Sequence, residues 1–286
     1  MAIREHPGPW SAAVCAAAFT FALFGGLPAC AQLRHDRPAR PETIWHGESG
    51  GYDWLWTTAD LKALHFRPVF SARAYEYKVN TQLKEEEKDP VDSYLECTIQ
   101  PLSIVGSLAS YERDYYWEGG AHPSGGVDVV TINAARPGHR VRLDELFRDE
   151  DIVRALLADK IVAGVLAREH VSPLPRTCDE LVKALKGKGF GESDDQFGFE
   201  EDLLFRFAFH HIEGDRVAVR LIIGWKGEIF RFSSTQIGLR LPAPPRLRTA
   251  LRGATAGDSG FLMADAKKLA NKRATVLFAI EQKKPR

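Results

Sequence analysis

The alternation of apolar and polar residues predicts a chain built largely from β-strands. The clearest hairpin has phenylalanines at Phe205, Phe207 and Phe209, a turn at residues 213–215 and alternating apolar residues over 217–223. A repeat of two buries one face of a strand. Similar patterns predict further strands at residues 52–56, 69–79, 94–100, 127–133, 140–143 and 237–241, and a bent strand or hairpin at 103–117.

Two helical patterns lie between the two groups of strands. From Asp149 to Val165, apolar residues recur every three or four positions, which predicts one long helix with Asp149 as its N-cap. A shorter helix is predicted over Asp179 to Lys186, ended by the glycines of residues 187–191. The expected fold class is α+β: a largely antiparallel β-sheet with two helices inserted between its halves and packed on one face. The phenylalanines of the hairpin are expected to pack on the long helix.

An apolar segment near the N-terminus predicts export. Residues Trp10 to Ala31 are almost uncharged, Arg4 precedes them, and Ala29-Cys30-Ala31 ends the segment as signal-peptidase sites do. Its densest apolar run is shorter than the ~20 residues of a membrane span. We expect residues 1–31 to be a signal peptide and the protein to be periplasmic or secreted. A lipoprotein anchored at Cys30 and an uncleaved anchor are the two alternatives.

Export would place the remaining cysteines in an oxidising compartment. Cleavage after Ala31 would leave Cys97 and Cys178, which are then expected to pair as a disulfide. Two separate buried thiols are the alternative. The chain has no C-x-x-C motif, so a zinc or redox role for cysteine is not expected.

The pattern divides the exported chain into four parts. These are a mobile leader at residues 32–50, an N-terminal β-containing module at 51–90, a main domain at 91–252 and a C-terminal tail at 253–286. The 38 lysines and arginines balance the 38 acidic residues, so the chain lacks the basic excess that binding to phosphates requires. Nucleic acid is therefore not an expected partner.

Residues 111–147 combine several motifs in a recognisable order. An aromatic strand is followed by Gly-Gly-Ala-His at 119–122, a second strand, a Pro-Gly turn and Leu-Asp-Glu-Leu-Phe at 143–147. This order resembles the extracytoplasmic domain of the RsiV-type anti-sigma factors that sense lysozyme, a domain also found beside the catalytic domain of some peptidoglycan deacetylases. The resemblance covers about residues 94–252 and, more faintly, 52–80.

The resemblance implies an exported domain that acts by recognition and has no family-wide catalytic set. The implied partner is an envelope protein such as lysozyme, or a peptidoglycan component. RsiV-type sensors carry a cytoplasmic sigma-binding part before their membrane span. Only nine residues precede Trp10 here, so sigma-factor binding of that kind is not expected.

The candidate recognition patch combines aromatic side chains with the glycine-containing loop that follows them. Aromatic rings offer a large contact area at a small entropic cost. The residues concerned are Tyr115, Tyr116, Trp117, Gly119, Gly120 and His122. In one alternative, His122 only fixes the path of its own loop. In two others, the protein is an envelope hydrolase that uses His122 with a nearby carboxylate, or a structural envelope protein.

Three other motifs are not expected to carry chemistry. His210 and His211 are neighbours on a predicted strand and should point to opposite faces, so they are not expected to share a metal ion. The acidic residues of 194–202 lack the spacing of a calcium loop. Gly-Asp-Ser-Gly at 257–260 resembles a serine-protease motif but has no matching histidine segment upstream. We therefore expect no metal, no cofactor and no catalytic activity.

Overall fold

The computed structural model describes residues 40–86, 93–118, 124–191, 197–226, 234–257, 259–269 and 275–282. These residues form fourteen strands and six α-helices, and every strand pair among them is antiparallel. The predicted α+β class is confirmed. The predicted signal peptide lies outside the described residues. Within them, the helices are all too short or too polar to cross a bilayer.

The described elements are short, and their bounds follow in chain order. The strands are β1 (Thr43–Ser49), β2 (Tyr52–Thr57), β3 (Leu61–His65), β4 (Arg67–Ser71), β5 (Ser93–Val105), β6 (Leu108–Glu118), β7 (Ser124–Asn133), β8 (Gly189–Phe190), β9 (Phe197–Gly198), β10 (Phe207–Glu213), β11 (Arg216–Lys226), β12 (Ser234–Pro242), β13 (Gly260–Phe261) and β14 (Thr275–Gln282). The helices are α1 (Ala72–Glu86), α2 (Asp149–Leu157), α3 (Lys160–Arg168), α4 (Cys178–Leu185), α5 (Arg248–Ala256) and α6 (Met263–Leu269).

The strands form three sheets. Strands β1 to β4 make a meander sheet, in which each strand pairs with the next. In the central sheet, β5 pairs with β6 on one edge and with β13 and β14 on the other, and β7 pairs with β6. In the hairpin sheet, β11 pairs with β10, β12 and β9, and β8 pairs with β9. The tail after residue 252 therefore contributes two strands to the central sheet.

The meander sheet and the central sheet share one core. Trp54 and Trp56 are fully buried between them and also make polar contacts. The indole nitrogen of Trp54 donates to the carbonyls of Ser49 and Gly106 (both 3.3 Å), and that of Trp56 donates to Thr275 Oγ1 at 2.8 Å. A buried indole N–H needs such a partner, so these bonds fix the meander sheet on β5 and β14.

The second large core lies between α2, α3 and α4 and the hairpin sheet. Phe207 and Phe209 are fully buried there, in the same cluster as Ile152 and Leu156 of α2, as predicted. Phe205 is an exception because it lies in a 3-10 turn before β10. The guanidinium of Arg140 sits 5.6 Å from the centre of its ring.

Two predictions for the N-terminal region were wrong. The predicted mobile leader at residues 32–50 contains β1, and Ser49 at its end is buried, with its hydroxyl donating to Ser259 O at 2.8 Å. The predicted strand at 69–79 stops at Ser71, where α1 begins. The carboxylate of Asp60, from the turn before β3, accepts the N–H of Arg73 at 2.9 Å and so satisfies a donor at the start of this helix.

The helical region also differs from the prediction. The single long helix is two helices, because the Asp159 side chain accepts the N–H groups of Ile161 (2.9 Å) and Val162 (3.2 Å) and caps a new helix. Three helices, not two, are therefore inserted. Asp149 does not cap its own helix but accepts the N–H of Cys178 at 3.0 Å. The predicted strand at 140–143 is only an isolated bridge, whereas 103–117 forms the hairpin of β5 and β6.

A buried ion network begins on α1. Glu76 is fully buried and accepts Tyr111 Oη at 2.7 Å and Arg113 Nη1 at 3.0 Å. Burial and the Glu76 carboxylate raise the pKa of Tyr111, so its hydroxyl remains a donor. For Arg113, burial acts to lower the pKa, but Glu76 and Asp128 hold it above its usual value. The helix is thus fastened to β6 by charge-assisted hydrogen bonds.

Asp128 on β7 is the centre of the network. It lies 3.2 Å from Arg113, 3.2 Å from Arg140 and 3.4 Å from Arg206. Arg206, just before β10, is itself buried and pairs with Asp202 at 2.8 Å. The network therefore connects α1, the central sheet and the approach to the hairpin sheet.

We predict that Asp128→Asn lowers the free energy of unfolding by about 3–5 kcal/mol, because it leaves three arginines without their shared carboxylate. Urea unfolding followed by circular dichroism measures this change. The matched control is Asp265→Asn, which removes only an exposed pair with Lys268. It should cost under about 1 kcal/mol. Equal effects of the two substitutions would contradict the central role of Asp128.

Candidate functional site

The three predicted aromatic residues lie on β6 but do not form one patch. Adjacent side chains of a strand point to opposite faces, and Tyr115 and Trp117 point toward α1 and the meander sheet. The guanidinium of Arg113 lies 5.8 Å from the centre of the Tyr115 ring, and Trp117 packs against the shared core. Tyr116 lies on the other face. Gly119, Gly120 and His122, including the histidine of the hydrolase hypothesis, lie outside the described residues.

The face of the central sheet that carries Tyr116 is rich in carboxylates. Its register places Tyr94 opposite Glu118 and Glu96 opposite Tyr116, with Asp114 one pair further along. Asp114 and Glu118 are exposed, and the other three are half-buried. We name these five residues the acidic tyrosine face: Tyr94, Glu96, Asp114, Tyr116 and Glu118.

Each tyrosine of this face is held by a carboxylate on its own strand. Tyr94 Oη donates to Glu96 Oε2 at 2.6 Å, and Tyr116 Oη donates to Glu118 Oε2 at 3.4 Å. The two rings lie 6.2 Å apart, tilted by 58°. The hydrogen bond to Glu96 raises the pKa of Tyr94, and partial burial together with Glu118 raises that of Tyr116. Both phenols therefore stay protonated at neutral pH and can donate these hydrogen bonds.

The charge of this face is negative and locally unbalanced. The described positions that share it on β5, β6, β7 and β14 include no lysine, arginine or histidine. Partial burial, with a contribution from Glu96, raises the pKa of Asp114, as expected where carboxylates repel one another. A cationic group that docked here would relieve that repulsion. Tyr116 was predicted from the sequence, but the other four residues were not, because their common face depends on the pairing register of β5 and β6.

The Leu-Asp-Glu-Leu-Phe motif stabilises a turn and packs in the helix core. Leu143 and Phe147 are buried in the helix core. The Glu145 carboxylate accepts the Arg142 N–H at 2.9 Å and binds Arg136 and His139, each at 2.8 Å. Burial acts to raise its pKa, but these bonds hold the pKa of Glu145 at about 2. The motif thus fixes the Pro-Gly turn at 136–138 and is not a contact surface.

The expected disulfide is absent. Cys97 and Cys178 are free and buried, Cys97 in the core below the meander sheet and Cys178 in the helix core. The alternative of two separate buried thiols is the one the structure contains. Burial raises the pKa of Cys97 to about 12. Burial and the neighbouring Asp149 also raise that of Cys178.

Cys178, Asp144 and Asp149 offer ligand atoms within 4.8 Å of one another. Their existing bonds explain this arrangement without a metal. Asp149 accepts the Cys178 N–H at the start of α4, and Arg142 pairs with Asp144 at 3.3 Å. We interpret the cluster as a contact between helix ends.

The prediction that His210 and His211 point to opposite faces was wrong. The register of β10 against β11 shifts between Phe209 and His211, so the strand has a β-bulge at this point. A bulge places two successive residues opposite one partner residue and interrupts the alternation of faces. The two Nδ1 atoms lie 2.7 Å apart, and His211 Nε2 contacts Glu213 at 2.9 Å.

Comparisons of the chain with protein-family models, with curated proteins and with solved structures gave no match. The resemblance to the RsiV-type domain therefore stays a prediction.

We predict that Glu145→Gln changes the pH dependence of stability. The folded-state pKa of about 2 lies below the ordinary value of 4.5, so Glu145 stabilises the fold above pH 4.5 and loses this effect as pH falls toward 2. The difference in free energy of unfolding between the unmodified chain and the Glu145→Gln variant should shrink as pH falls from 4.5 toward 2. Urea unfolding at several pH values measures it. Glu150→Gln, at an exposed position of α2, is the control and should show no such change.

We also predict that Cys97 and Cys178 resist alkylation by iodoacetamide at pH 8 in the native protein and react fully in urea. Only a small fraction of a thiol with a pKa near 12 is the reactive thiolate at that pH. Non-reducing digestion with mass spectrometry identifies the labelled peptides. A peptide that links the two cysteines would contradict two separate buried thiols.

Proposed function

We propose that this chain is an exported, non-catalytic binding module of the cell envelope, which docks a protein with a basic surface on the acidic tyrosine face. One observation carries the proposal: three carboxylates and two hydrogen-bonded tyrosines lie on one partly exposed sheet face, whose described positions on β5, β6, β7 and β14 include no cation. Lysozyme is the first partner to test, because the resemblance to RsiV-type domains implies it.

The chemistry of the face suits docking. Clustered carboxylates attract a cationic surface over several ångströms and speed its approach. Tyrosine is common among the residues that contribute most to binding, because a large flat ring is combined with a polar tip. The hydrogen bonds of Tyr94 and Tyr116 limit the rotamer freedom that binding would otherwise remove.

The rigidity of the surface comes from the other side of the sheet. There the same strands carry Tyr111, Arg113 and Cys97, all held in the shared core or the ion network. The backbone beneath the acidic tyrosine face is therefore fixed before a partner arrives. A partner needs to order few groups of this protein on binding.

We predict that the purified chain binds lysozyme in isothermal titration calorimetry and that binding weakens as salt is raised. The double variant Glu96→Gln, Asp114→Asn should weaken it by roughly tenfold or more, and so should Tyr116→Ala.

The control is the double variant Glu48→Gln, Asp53→Asn. It also removes two negative charges, but from a cross-strand pair of exposed carboxylates on the meander sheet. It should bind as the unmodified chain does. Loss of binding in both double variants would reveal an effect of net charge alone. Binding only to purified peptidoglycan, unaffected by Tyr116→Ala, would contradict the proposed face.

A further inference from the structure

A groove of about 370 Å³ lies between α2 and β12. Asp151 and Arg154 of α2 form one wall, and β12 forms the other with Gly238, Leu239 and Arg240. Its volume is in the range of pockets that enclose small ligands. It lies on the hairpin sheet, apart from the acidic tyrosine face on the central sheet.

The β12 wall is the edge of a sheet. Residues 234–242 pair with β11, and no other described strand pairs with β12. An edge strand presents outward N–H and C=O groups that a further strand can bind. The sheet surface at Gly238 is open, since a Cβ at that position would have no atom within 4 Å.

Three arginines surround this edge. Arg154 and Arg240 are 75% and 68% exposed, and each also lies near a carboxylate, Arg154 at 3.7 Å from Asp151 and Arg240 at 3.1 Å from Glu213. Arg216 of β11 lines the same groove. Arg216 donates to the Arg240 carbonyl at 3.3 Å, and it has no carboxylate within 4.0 Å among the described residues. Its guanidinium thus remains available for an ion pair with a ligand.

The acidic residues nearby are already engaged. Asp151 is buried and accepts Arg148 Nε at 2.9 Å. Asp159 accepts two amides at the start of α3. Glu213 pairs with Arg240 at 3.1 Å. A ligand carboxylate would therefore meet arginine side chains, which bind carboxylates through two parallel hydrogen bonds.

We infer that this groove binds an acidic peptide in extended conformation, which adds to β12 as a further strand. The edge supplies main-chain hydrogen bonds from Gly238 and from the N–H of Arg240, and alternate side chains of the peptide point toward one face, as a strand requires. Glutamate or aspartate at those alternate positions would reach Arg216 and Arg240. A free anion would use the arginines but not the edge, so the peptide is the occupant that uses both features.

The probe is a short acetylated and amidated peptide of alternating glutamate and valine, with a fluorescent label for anisotropy measurements on the full chain. We expect saturable binding. Replacing its glutamates by glutamines, or methylating its backbone amides, should each weaken binding by roughly tenfold or more. Hydrogen exchange of the Gly238 and Arg240 amides, which point away from β11, should slow when the peptide is bound.

Arg216→Gln should weaken peptide binding by roughly tenfold. Arg67→Gln is the matched control, because Arg67 is an exposed arginine on the meander sheet, and it should have no effect. Gly238→Leu is a second variant, which fills the groove at a position where a Cβ meets no atom. It should abolish peptide binding, while the variant still unfolds in the same transition as the unmodified chain.

No binding to the unmodified chain would overturn the inference, and so would equal binding of the glutamine peptide. Equal binding of the N-methylated peptide would show an anion site without strand addition and would also overturn it. The double variant Glu96→Gln, Asp114→Asn should bind the acidic peptide normally. Failure of this inference is therefore distinguishable from failure of the proposed docking face.

Discussion

Asp128 binds three arginines that come from three different parts of the chain, and the arrangement of the sheets depends on this contact. A buried carboxylate with cations on several sides is stable only when all its partners are present. Arg113 extends the contact to Glu76 on α1, and Arg206 extends it toward β10. The network fixes one face of the central sheet under α1. The opposite face packs on β10 and β11 at one end and carries the acidic tyrosine face at the other.

Charge in this protein is separated by position although its sum is zero. The acidic tyrosine face carries carboxylates on the central sheet, whereas three arginines outnumber two aspartates in the groove beside β12. The composition, with 38 basic and 38 acidic residues, does not reveal these locally charged surfaces. Docking depends on the local field near a surface and not on the total charge. The two proposed sites therefore attract partners of opposite sign.

Leu-Asp-Glu-Leu-Phe, one of the two motifs that together carry the family resemblance, has a structural role in this chain. Glu145 holds a turn through Arg136, His139 and the Arg142 amide, while Leu143 and Phe147 fill the core. Such a motif reports on how the chain folds. It does not specify a ligand, because none of its contacts is made on the acidic tyrosine face or in the groove between α2 and β12.

Local interactions explain what the sequence determined by itself. The hairpin of β10 and β11 follows from its alternating apolar residues, and α4 follows from its apolar stripe together with the capping box of Thr177 and Glu180. Each of these features depends on residues close in the chain, so the α+β class and most strands could be predicted.

Only the tertiary structure decided the features that depend on distant partners. The start of α1 requires the carboxylate of Asp60, and the burial of Glu76 requires Arg113 from β6. The β-bulge that brings the side chains of His210 and His211 together depends on the register of β10 against β11. The acidic tyrosine face likewise exists only because β5 and β6 pair with Glu96 opposite Tyr116. Periodicity shows which residues share a face of one strand, but the pairing of strands decides which faces meet.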